Sequence, residues 1–569
     1  MRRTAVRKSW LAGFAPFALA LCLATGPVWA ATVTVCPAGC DSTTIQGAVT
    51  MADPGDTIQI LSSQAHTEGD IFVGKDVTIA GFGTDTTTIQ ADANPGTATV
   101  PVFAIVGGVT VTIQSLKIQY GGGLYGGGVK ILDGHLVLDD VYLTENKATI
   151  YGGGVYVPIG CSLEIIDGWI WGNEAGNRGA GIFNEGTTEI GGAFITQNTI
   201  PLGSSGDTYG GGIFNSGALT LRFVYMSGNA VGGFPLEDAA GGAIYHEGTE
   251  LVVEDSRISS NEVDGGQFNR GGGLYLDSSV PVTISRTKIS ANEASDGGGV
   301  YLDQGDLSLV DCWIDQNMAS GSGGGLYLFH SGPSAVSIIH STVSRNQAYL
   351  GGGIAVGYDG STRIVNSTFS GNSATGDAGG LWFTASNNAS IASVTITDNT
   401  ADFDGDGFGS GGGIVIATGG HVNMRNTILA DNHDDSPFPS PIAFDCVGTI
   451  QSQGHNLVRS LGYPLPWCTI EGDTTGNISG TDPVLITLAD NGGPTLTHAL
   501  DPASPAIDAA DPAGCVDPMG APLPADQRHG VRQDRCDMGA YEVGASFGLI
   551  FGDGFESGDT SAWTSVTGG

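Results

Sequence analysis

The sequence predicts an all-β fold, a single-stranded right-handed parallel β-helix with an N-terminal cap and a small C-terminal domain. Three observations lead to this prediction. Glycine supplies 93 of the 569 residues, against a typical share of ~7%, and it lacks the three-residue period of collagen. A glycine-rich phrase returns every 26 to 33 residues. Between copies, apolar and polar residues alternate in short runs, as they do in strands rather than helices.

The repeated phrase consists of small residues, mostly glycine, followed by an aliphatic residue and often an aromatic one. Its eleven copies begin at Gly126, Gly152, Gly179, Gly210, Gly241, Gly271, Gly297, Gly323, Gly351, Ala378 and Gly411. A period of this length indicates a repeat architecture, in which each unit buries its apolar face only against its neighbours. Glycine is expected where the turn into the next strand needs a positive φ or a close backbone approach.

Each unit closes with a hydrophobic-x-x-Asn phrase, 19 to 23 residues after the unit begins. The closing residues are Asn146, Asn173, Asn198, Asn229, Asn261, Asn292, Asn317, Asn346, Asn372, Asn399 and Asn432. Asparagine tolerates the left-handed conformation, and its amide can bond to the asparagine one coil away. We therefore interpret the glycines and asparagines as structural residues rather than as ligand-binding ones.

Within one unit, Leu274 and Leu276 alternate with polar residues, then Val282 and Ile284, and then Ile289. Three short strands fit into each unit. If every unit winds once around an axis, each strand lies about 4.8 Å above its counterpart, and the inward aliphatic side chains merge into one core.

The aromatic residues that follow the aliphatic one point to the opposite side of the strand. They are Phe183, Phe214, Tyr245, Tyr275, Tyr301 and Tyr327. We expect them to cover the turn, and the alternative is an exposed strip that stacks against sugars.

The first thirty residues have the character of a secretory signal peptide. Arg2, Arg3, Arg7 and Lys8 precede an apolar run over residues 11–23, and Val28-Trp29-Ala30 fits a cleavage site. The apolar run is short for a membrane span. We predict that the protein is exported, either free or at the outer-membrane surface, and that no transmembrane segment remains after the signal peptide is removed.

The chain is acidic, with 58 Asp and Glu against 21 Lys and Arg, and a formal charge of −37. Nucleic acids and anionic lipids bind through Lys and Arg, so this balance disfavours both as partners. Six of the nine cysteines form close pairs, Cys36/Cys40, Cys446/Cys468 and Cys515/Cys536. An oxidising compartment permits disulfides there, whereas Cys161 and Cys312 are expected to be buried thiols.

The repeat resembles that of the polymorphic outer membrane proteins, whose units pair a GGA-aliphatic phrase with an F-x-x-N phrase. Residues 241–244 (GGAI) and 369–372 (FSGN) match this pattern as written, and the other units match it with substitutions. The resemblance implies an extracellular β-helical passenger at the outer membrane. The chain departs from that family because about 120 residues rich in Gly, Asp and Pro follow the repeats in place of a translocator barrel.

The two ends resemble other families. Residues 44–61 and 75–91 are similar to the entry of pectin-lyase-like β-helices, which implies a short capping helix over residues 45–51. Residues 491–511 and 536–542 resemble the choice-of-anchor Q domain, and IFGDGFESGDTSAW (550–563) resembles a terminal tag of secreted bacterial proteins.

We divide the chain accordingly into five parts. They are the signal peptide (1–30), the cap and first coils (31–120), the repeats (121–435), the C-terminal coils with the anchor-like region (436–545), and the tail (546–569).

An enzyme acting on polysaccharides is the main alternative to a contact protein. Such sites on β-helices need a basic residue beside calcium-binding carboxylates, or acids on successive coils. Five arginines occupy the later parts of repeats, at changing offsets and without a matching acidic cluster: Arg257, Arg286, Arg345, Arg363 and Arg425. Asp255 and Asp311 are interpreted as solvated strand positions.

The clearest site-like motif is ADFDGDGFGSGGG. Asp402, Asp404 and Asp406 with Gly407 match the start of a calcium loop, in which alternate carboxylates converge and the glycine makes the bend. Gly413 stands where an EF-hand has its bidentate Glu, which excludes an EF-hand. Calcium is therefore the candidate ion, against the alternative of a hydrated acidic turn, and we expect no required cofactor and no catalytic residue.

These observations predict a secreted or outer-membrane-associated β-helix that acts by contact, in the manner of an adhesin or envelope component. The expected partner is an extracellular glycan or the surface of a host or neighbouring cell. Loops at residues 200–209, 231–240 and 263–270 lengthen three consecutive units. They should cluster at one edge, where we expect the binding surface.

Overall fold

A computed structural model shows the predicted fold, a right-handed parallel β-helix of about 15 turns. It describes residues 30–547, apart from residues 205, 330–333, 358–359, 385–387, 438–443, 463–466, 518 and 534. The predicted signal peptide up to residue 29 and the tail from residue 548 lie outside the described residues. Each coil contributes one short strand to each of three faces.

The strands of the first face follow the glycine phrase. They are Ile71–Val73, Phe103–Ile105, Val129–Ile131, Val155–Val157, Ile182–Asn184, Ile213–Asn215, Ile244–His246, Leu274–Asp277, Val300–Gln304, Leu326–Leu328, Ile354–Val356, Leu381–Phe383 and Ile414–Ile416. The start of Cys446–Gln453 adds the last strand of this face.

The second face comes next along each coil. Its strands are Thr32–Val35, Thr57–Ile60, Val77–Ala80, Thr187–Gly191, Ala218–Arg222, Glu250–Glu254, Val282–Ser285, Leu307–Val310, Ala335–Ile339, Ser361–Val365, Asn388–Ala392, His421–Arg425, Cys446–Gln453 and Cys468–Asp473. Three longer strands, Val109–Gln119, Gly134–Thr144 and Ser162–Trp171, belong to the second and third faces. Each of them bends between the faces at one residue with positive φ, namely Ser115, Asp140 or Asp167.

The third face precedes the closing asparagine. Besides the ends of the three long strands, it contains His66–Thr67, Thr88–Gln90, Phe194–Thr196, Tyr225–Ser227, Arg257–Ser259, Lys288–Ser290, Trp313–Asp315, Thr342–Ser344, Thr368–Ser370, Thr395–Thr397, Ile428–Leu429, Leu457–Val458 and Ile478–Ser479.

Two smaller sheets follow the asparagines. The asparagine strip consists of Lys147–Ala148, Glu174–Ala175, Thr199–Ile200, Ala230–Gly232, Glu262–Asp264, Glu293–Ala294, Met318–Ala319, Gln347–Ala348, Ser373–Ala374, Thr400–Ala401 and His433–Asp434. The three lengthened units form a loop sheet of Thr208–Tyr209, Asp238–Ala240 and Phe268–Arg270. The predicted clustering of these loops at one edge is therefore confirmed.

The three glycines of one phrase have separate structural roles. Gly297 has a φ of +63°, a conformation that favours glycine. A Cβ on Gly298 would lie 2.3 Å from the carbonyl oxygen of Met318, and one on Gly299 would lie 2.5 Å from that of Gly325. The first glycine therefore satisfies the turn, and the other two allow the next coil to approach.

The closing asparagines form the predicted ladder inside the rod. The backbone N–H and the side-chain amide of Asn292 both donate to Oδ1 of Asn317, at 3.0 and 2.9 Å. The prediction that asparagine itself adopts the left-handed conformation is wrong. The preceding residue adopts it, as Ala291 and Gln316 do, because this orientation turns the asparagine side chain inward to bond to the next coil.

One continuous apolar core runs from Val35 to Cys468. Its N-terminal end is closed by the helix Ile45–Met51, which was predicted at these residues and buries Ile45 and Val49. The Glu68 carboxylate accepts the backbone N–H of Ile45 at 2.7 Å, so the helix start is satisfied by the rod itself.

The rod ends at Ser479, and residues 480–547, here named the C-terminal segment, turn back along the third face. Within this segment the described residues form isolated antiparallel bridges such as Leu485 with Leu500. The segment has a small apolar core of its own that includes Met538 and packs on Ile428 of the rod.

The three predicted cysteine pairs are disulfide-bonded, and Cys161 and Cys312 are buried free thiols. Among the described residues, no helix has the length and apolar character needed to cross a lipid bilayer.

Candidate functional site

Four aromatic side chains form a row on the outer surface of the third face. Tyr142, Trp169, Phe194 and Tyr225, here named the aromatic column, are paired in register on four consecutive coils. Their ring centroids are 5.8, 5.8 and 5.9 Å apart. Trp169 is 39% exposed and Phe194 48% exposed, so the column presents aromatic surface to solvent.

The sequence places these rings outside because each one precedes the first hydrophobic residue of a closing phrase. Leu143 and Ile170 occupy that hydrophobic position in two of the coils and point into the core. Side chains alternate across a strand, so the preceding residue points outward. An aromatic residue at this position in four consecutive units was the signal that could have revealed the column, and our sequence analysis missed it.

Carboxylates border the aromatic column along the bend between the second and third faces. Asp140 and Asp167 lie at this bend on consecutive coils, and both are exposed. Together with the rings they line an open groove of about 490 Å³. The groove therefore combines aromatic surface with hydrogen-bond acceptors, the mixture that ligand sites use for affinity and orientation.

Phe223 occupies the same bend two coils beyond Asp167. Its φ is +56°, a conformation that is costly for a bulky residue, and its side chain is 67% exposed. Neither the backbone cost nor the exposure is compensated by packing in the core.

Hydrogen bonds to the next coil fix the orientation of both indole rings near the groove. Nε1 of Trp169 donates to Oγ1 of Thr196 at 2.6 Å, and Nε1 of Trp171 donates to Oε1 of Gln197. Rings held in this way lose little side-chain entropy when a ligand binds.

The aromatics that the sequence analysis singled out form a different structure. Phe183, Phe214, Tyr245 and Tyr275 stack with centroids 4.9 to 5.3 Å apart, and all are at least 95% buried. Burial raises the pKa of the two tyrosines in this stack, Tyr245 and Tyr275. The prediction of a cover over the turn is confirmed, and the alternative of an exposed strip is wrong.

The three predicted calcium ligands converge in one loop. One ligand atom each from Asp402, Asp404 and Asp406 lies within 4.8 Å of the others. Asp402 is fully buried, and its two carboxylate oxygens accept the backbone N–H groups of Asp406 and Gly407. Asp404 and Asp406 are exposed. Asp402 therefore shapes the loop while the other two carboxylates face solvent, and calcium binding stays a prediction.

The structure corrects the interpretation of Asp255 and Asp311 as solvated strand positions. Both lie at the bend with positive φ and have partners. Asp255 accepts two hydrogen bonds from Arg286, and Asp311 accepts one from His529 of the C-terminal segment. The bend favours short polar residues that tolerate the left-handed region, which is why acids occur there.

The arginines of the later repeats mainly hold the molecule together. Arg363 pairs with Asp517 and Arg425 with Asp511, so both attach the C-terminal segment to the rod. Arg345 makes a two-point contact with the buried Asp315, and Arg286 pairs with Asp255 as described above. Arg257 differs, since its guanidinium lies over the ring of Tyr225.

Asp311, His340 and His529 form a second cluster with the spacing of metal ligands. Arg532 donates to Oδ1 of Asn366, and the Asn366 amide nitrogen donates to the carbonyl of Ala525. These two bonds orient the amide, so that its N–H₂ group faces Nε2 of His340 at 3.2 Å. That nitrogen must accept, which places the imidazole proton on Nδ1, facing Asp311 at 3.7 Å.

His529 Nε2 contacts the same Asp311 oxygen at 2.7 Å. Two imidazole N–H groups thus face one carboxylate. The His529–Asp311 hydrogen bond attaches the C-terminal segment to the rod, and neither imidazole directs a free nitrogen lone pair at the carboxylate.

A family model described as a right-handed β-helix region matches residues 102–334 and, in a second overlapping match, residues 272–457. These ranges cover the aromatic column and most of the rod. No curated protein matches the chain.

Proposed function

The chain belongs to the family of right-handed β-helix regions, and from this premise we propose that it is a secreted surface protein that binds extracellular glycan without catalysis. The observation that carries the proposal is the exposed aromatic column with its carboxylate border. We propose the bacterial outer surface as its location, which the predicted signal peptide supports.

A linear glycan fits the chemistry and the shape of this surface. A pyranose ring has an apolar C–H face that packs on an aromatic ring, and its hydroxyl groups donate to carboxylates such as Asp140 and Asp167. One ring follows another at 5.8 to 5.9 Å along the rod. A chain of sugars lying along the axis would place successive residues over successive rings, so that several weak contacts add up.

The second candidate is a polysaccharide-acting enzyme, favoured by the position of Asp140 and Asp167 on adjacent coils of one groove. A glycoside hydrolase needs one carboxyl group that burial or a neighbouring charge keeps protonated. Both aspartates are exposed, which provides no such desolvation. The three acids that do converge, at residues 402–406, lie in one loop, with Asp402 buried and bonded to backbone. We therefore favour binding over hydrolysis.

The test is glycan retention by the mature protein and by matched variants. The double variant Trp169→Ala/Phe194→Ala should lose at least about tenfold in affinity, because alanine removes the stacking surface. The control is Trp467→Ala/Phe72→Ala, which removes two similarly exposed aromatics elsewhere, at 45% and 47% exposure. Retention that is unchanged in the column variant, or shortened glycan products that disappear in Asp140→Asn/Asp167→Asn, would overturn the proposal.

A further inference from the structure

The aromatic column continues into an unusual pair of like charges. On the outer side of the third face, Tyr225 is followed coil by coil by Arg257, Lys288 and Trp313. Arg257 and Lys288 are direct neighbours in a parallel ladder, where strands are about 4.8 Å apart, and like charges in such positions are destabilising. The arrangement therefore carries a cost that the fold does not explain.

The surroundings of the pair do not cancel this positive charge. Lys288 Nζ lies 3.3 Å from Asp315, and the guanidinium of Arg345 binds the same carboxylate at 2.9 Å. Asp315 is 1% exposed, so one buried carboxylate serves two cations. Arg257 is exposed, and among the described residues no carboxylate forms an ion pair with it. Three cations therefore share one anion, in a protein whose formal charge is −37.

The proximity of these cations has an electrostatic consequence at Lys288. Burial lowers the pKa of Lys288, and the neighbouring Arg257 and Arg345 lower it further, while Asp315 opposes the effect. An anion bound between Arg257 and Lys288 would relieve this repulsion.

Aromatic rings and the C-terminal segment enclose the pair along the rod. The Arg257 guanidinium lies 5.6 Å from the ring centroid of Tyr225, and Lys288 Nζ lies 3.3 Å from that of Trp313. On the following coil, Thr342 donates to the carbonyl of Leu496, so the C-terminal segment covers the next position. The row of outward side chains that begins at Tyr142 therefore ends at Trp313, one coil beyond the cationic pair.

We propose that Arg257 and Lys288 form an oxyanion subsite, in which a carboxylate or sulfate group on an otherwise neutral glycan binds at the end of the aromatic column. This inference rests on the proposed function, because the neutral part of the same chain would lie on that column. Arginine can hold either oxyanion through two parallel hydrogen bonds. The exposed Asp140 and Asp167 beside the column would repel a uniformly charged chain, so the ligand carries its negative charge sparsely.

The experiment compares matched ligands on the full mature protein. The probes are linear neutral hexasaccharides of glucose, N-acetylglucosamine or mannose, each also with one carboxylate or with one sulfate, and a uniformly charged polyuronate. We expect at least one neutral chain to bind. The singly charged form of that chain should bind about tenfold more tightly than the neutral form at low salt. It should also bind more tightly than the polyuronate. Its advantage over the neutral form should shrink as added salt screens the charges.

Variants separate this inference from the proposed function. Arg257→Gln should reduce the affinity of the charged chain to that of the neutral chain, and Lys288→Gln should do the same. Trp169→Ala/Phe194→Ala should weaken both forms. The control Arg286→Gln removes an arginine one coil away whose charge is already paired with Asp255. A larger gain from one of the two groups would identify the oxyanion as carboxylate or sulfate.

Each contrary result has its own meaning. If the neutral chain binds and the charged forms bind no better, the subsite is overturned and the proposed function stands. If Arg257→Gln weakens neutral and charged chains equally, the subsite is likewise overturned. If no form of any chain binds, both the subsite and the proposed function fail.

Discussion

His246 occupies an inward position of the first face, where Leu276 and Leu302 stand on the next two coils. Its side chain is fully buried, its Nδ1 lies 2.8 Å from the amide nitrogen of Asn215, and its Nε2 has no hydrogen-bond partner. Burial lowers the pKa of His246 to about 4. A neutral imidazole is therefore held in the core with one N–H unsatisfied.

We predict that His246→Leu stabilises the rod by about 1–2 kcal/mol at neutral pH, because it removes a buried unpaired donor. Asn215 keeps the carbonyls of Gly217 and Glu250 as acceptors, and the N–H of Gly248 loses only a long 3.4 Å contact with Nδ1. The difference in free energy of unfolding between His246→Leu and the wild type should grow as pH falls from about 6.5 to about 4. In that range the histidine of the wild type takes up a proton only in the unfolded state, which destabilises the folded wild type. Urea unfolding at several pH values measures this.

The half-exposed His135→Leu is the control for His246→Leu and should give no such gain. A loss of stability in His246→Leu at every pH would show that the buried imidazole is required for packing.

The acidic loop allows a second test at the residue scale. If calcium binds Asp402, Asp404 and Asp406, the ion should raise the midpoint of thermal unfolding by a few degrees. At a free calcium concentration of about a hundred times Kd, the free energy of unfolding should rise by about 2.7 kcal/mol. Asp404→Asn/Asp406→Asn should lose this shift, because two exposed ligands are neutralised while the buried Asp402 stays. Differential scanning calorimetry with calcium and with magnesium decides it. An equal shift in the variant places the ion elsewhere.

Single residues were predictable where one physical rule decided their position. Gly297 needed a positive φ and Asn292 needed a partner one coil away, and both requirements are visible in the repeat. The aromatic column was not recognised because its residues vary in type, and only the outward register of Trp169 and Phe194 connects them. The pairing of Arg363 with Asp517 joins positions 154 residues apart, which no local pattern reveals.

At the scale of elements, the asparagine ladder links each coil to the next. Oδ1 of Asn292 accepts both the backbone N–H and the side-chain amide of Asn261, at 3.0 and 2.9 Å. We predict that Asn292→Ala destabilises the rod by about 3 kcal/mol, because the buried backbone N–H of Asn261 loses its acceptor and the Asn261 amide keeps only the carbonyls of Met226 and Ser259. Hydrogen exchange should show the loss first in the coils on either side of residue 292.

The exposed Asn94→Ala serves as the control for the ladder variant and should leave stability within about 0.5 kcal/mol of the wild type. A similarly small effect of Asn292→Ala would contradict a structural role for the ladder.

The interface between the rod and the C-terminal segment contains the partly buried His340 and the buried His498. His340 lies on the rod beside Asp311, Asp526, Arg532 and His529, and burial, followed by the nearby His529, lowers its pKa to about 4. His498 lies on the segment, bonded to Ser370 of the rod and near Asp398, and burial lowers its pKa as well. Protonation of either histidine therefore opposes docking of the segment.

We predict that docking weakens as pH falls below about 6.5, because the undocked histidines take up protons first, and that it is largely lost near about pH 4. Limited proteolysis of residues 480–547 against pH measures it, and His340→Gln/His498→Gln should flatten the profile. A wild-type profile that is already flat would contradict the prediction.

At the scale of the whole molecule, the β-helix was predictable because every level of the sequence agrees with it. The glycine phrase sets the turns, the alternation sets the strands, and the closing asparagine sets the stacking. The N-terminal helix Ile45–Met51 was implied by the resemblance of residues 44–61 and 75–91 to the entry of pectin-lyase-like β-helices, and the structure has it at these residues. The path of residues 480–547 along the third face was not predicted, since these residues have no period and their contacts are with coils far away in the sequence.

The C-terminal segment changes how the rod should respond to mechanical force. In a simple solenoid each coil contacts only its neighbours, but this segment joins coils from Asp311 to His455 through separate bonds. Under tension applied to the two termini, coils before Asp311 would peel away one at a time, each lengthening the chain by a similar step. The coils bound by the segment would yield together in one larger rupture, so the rod would have a compliant portion and a stiff one.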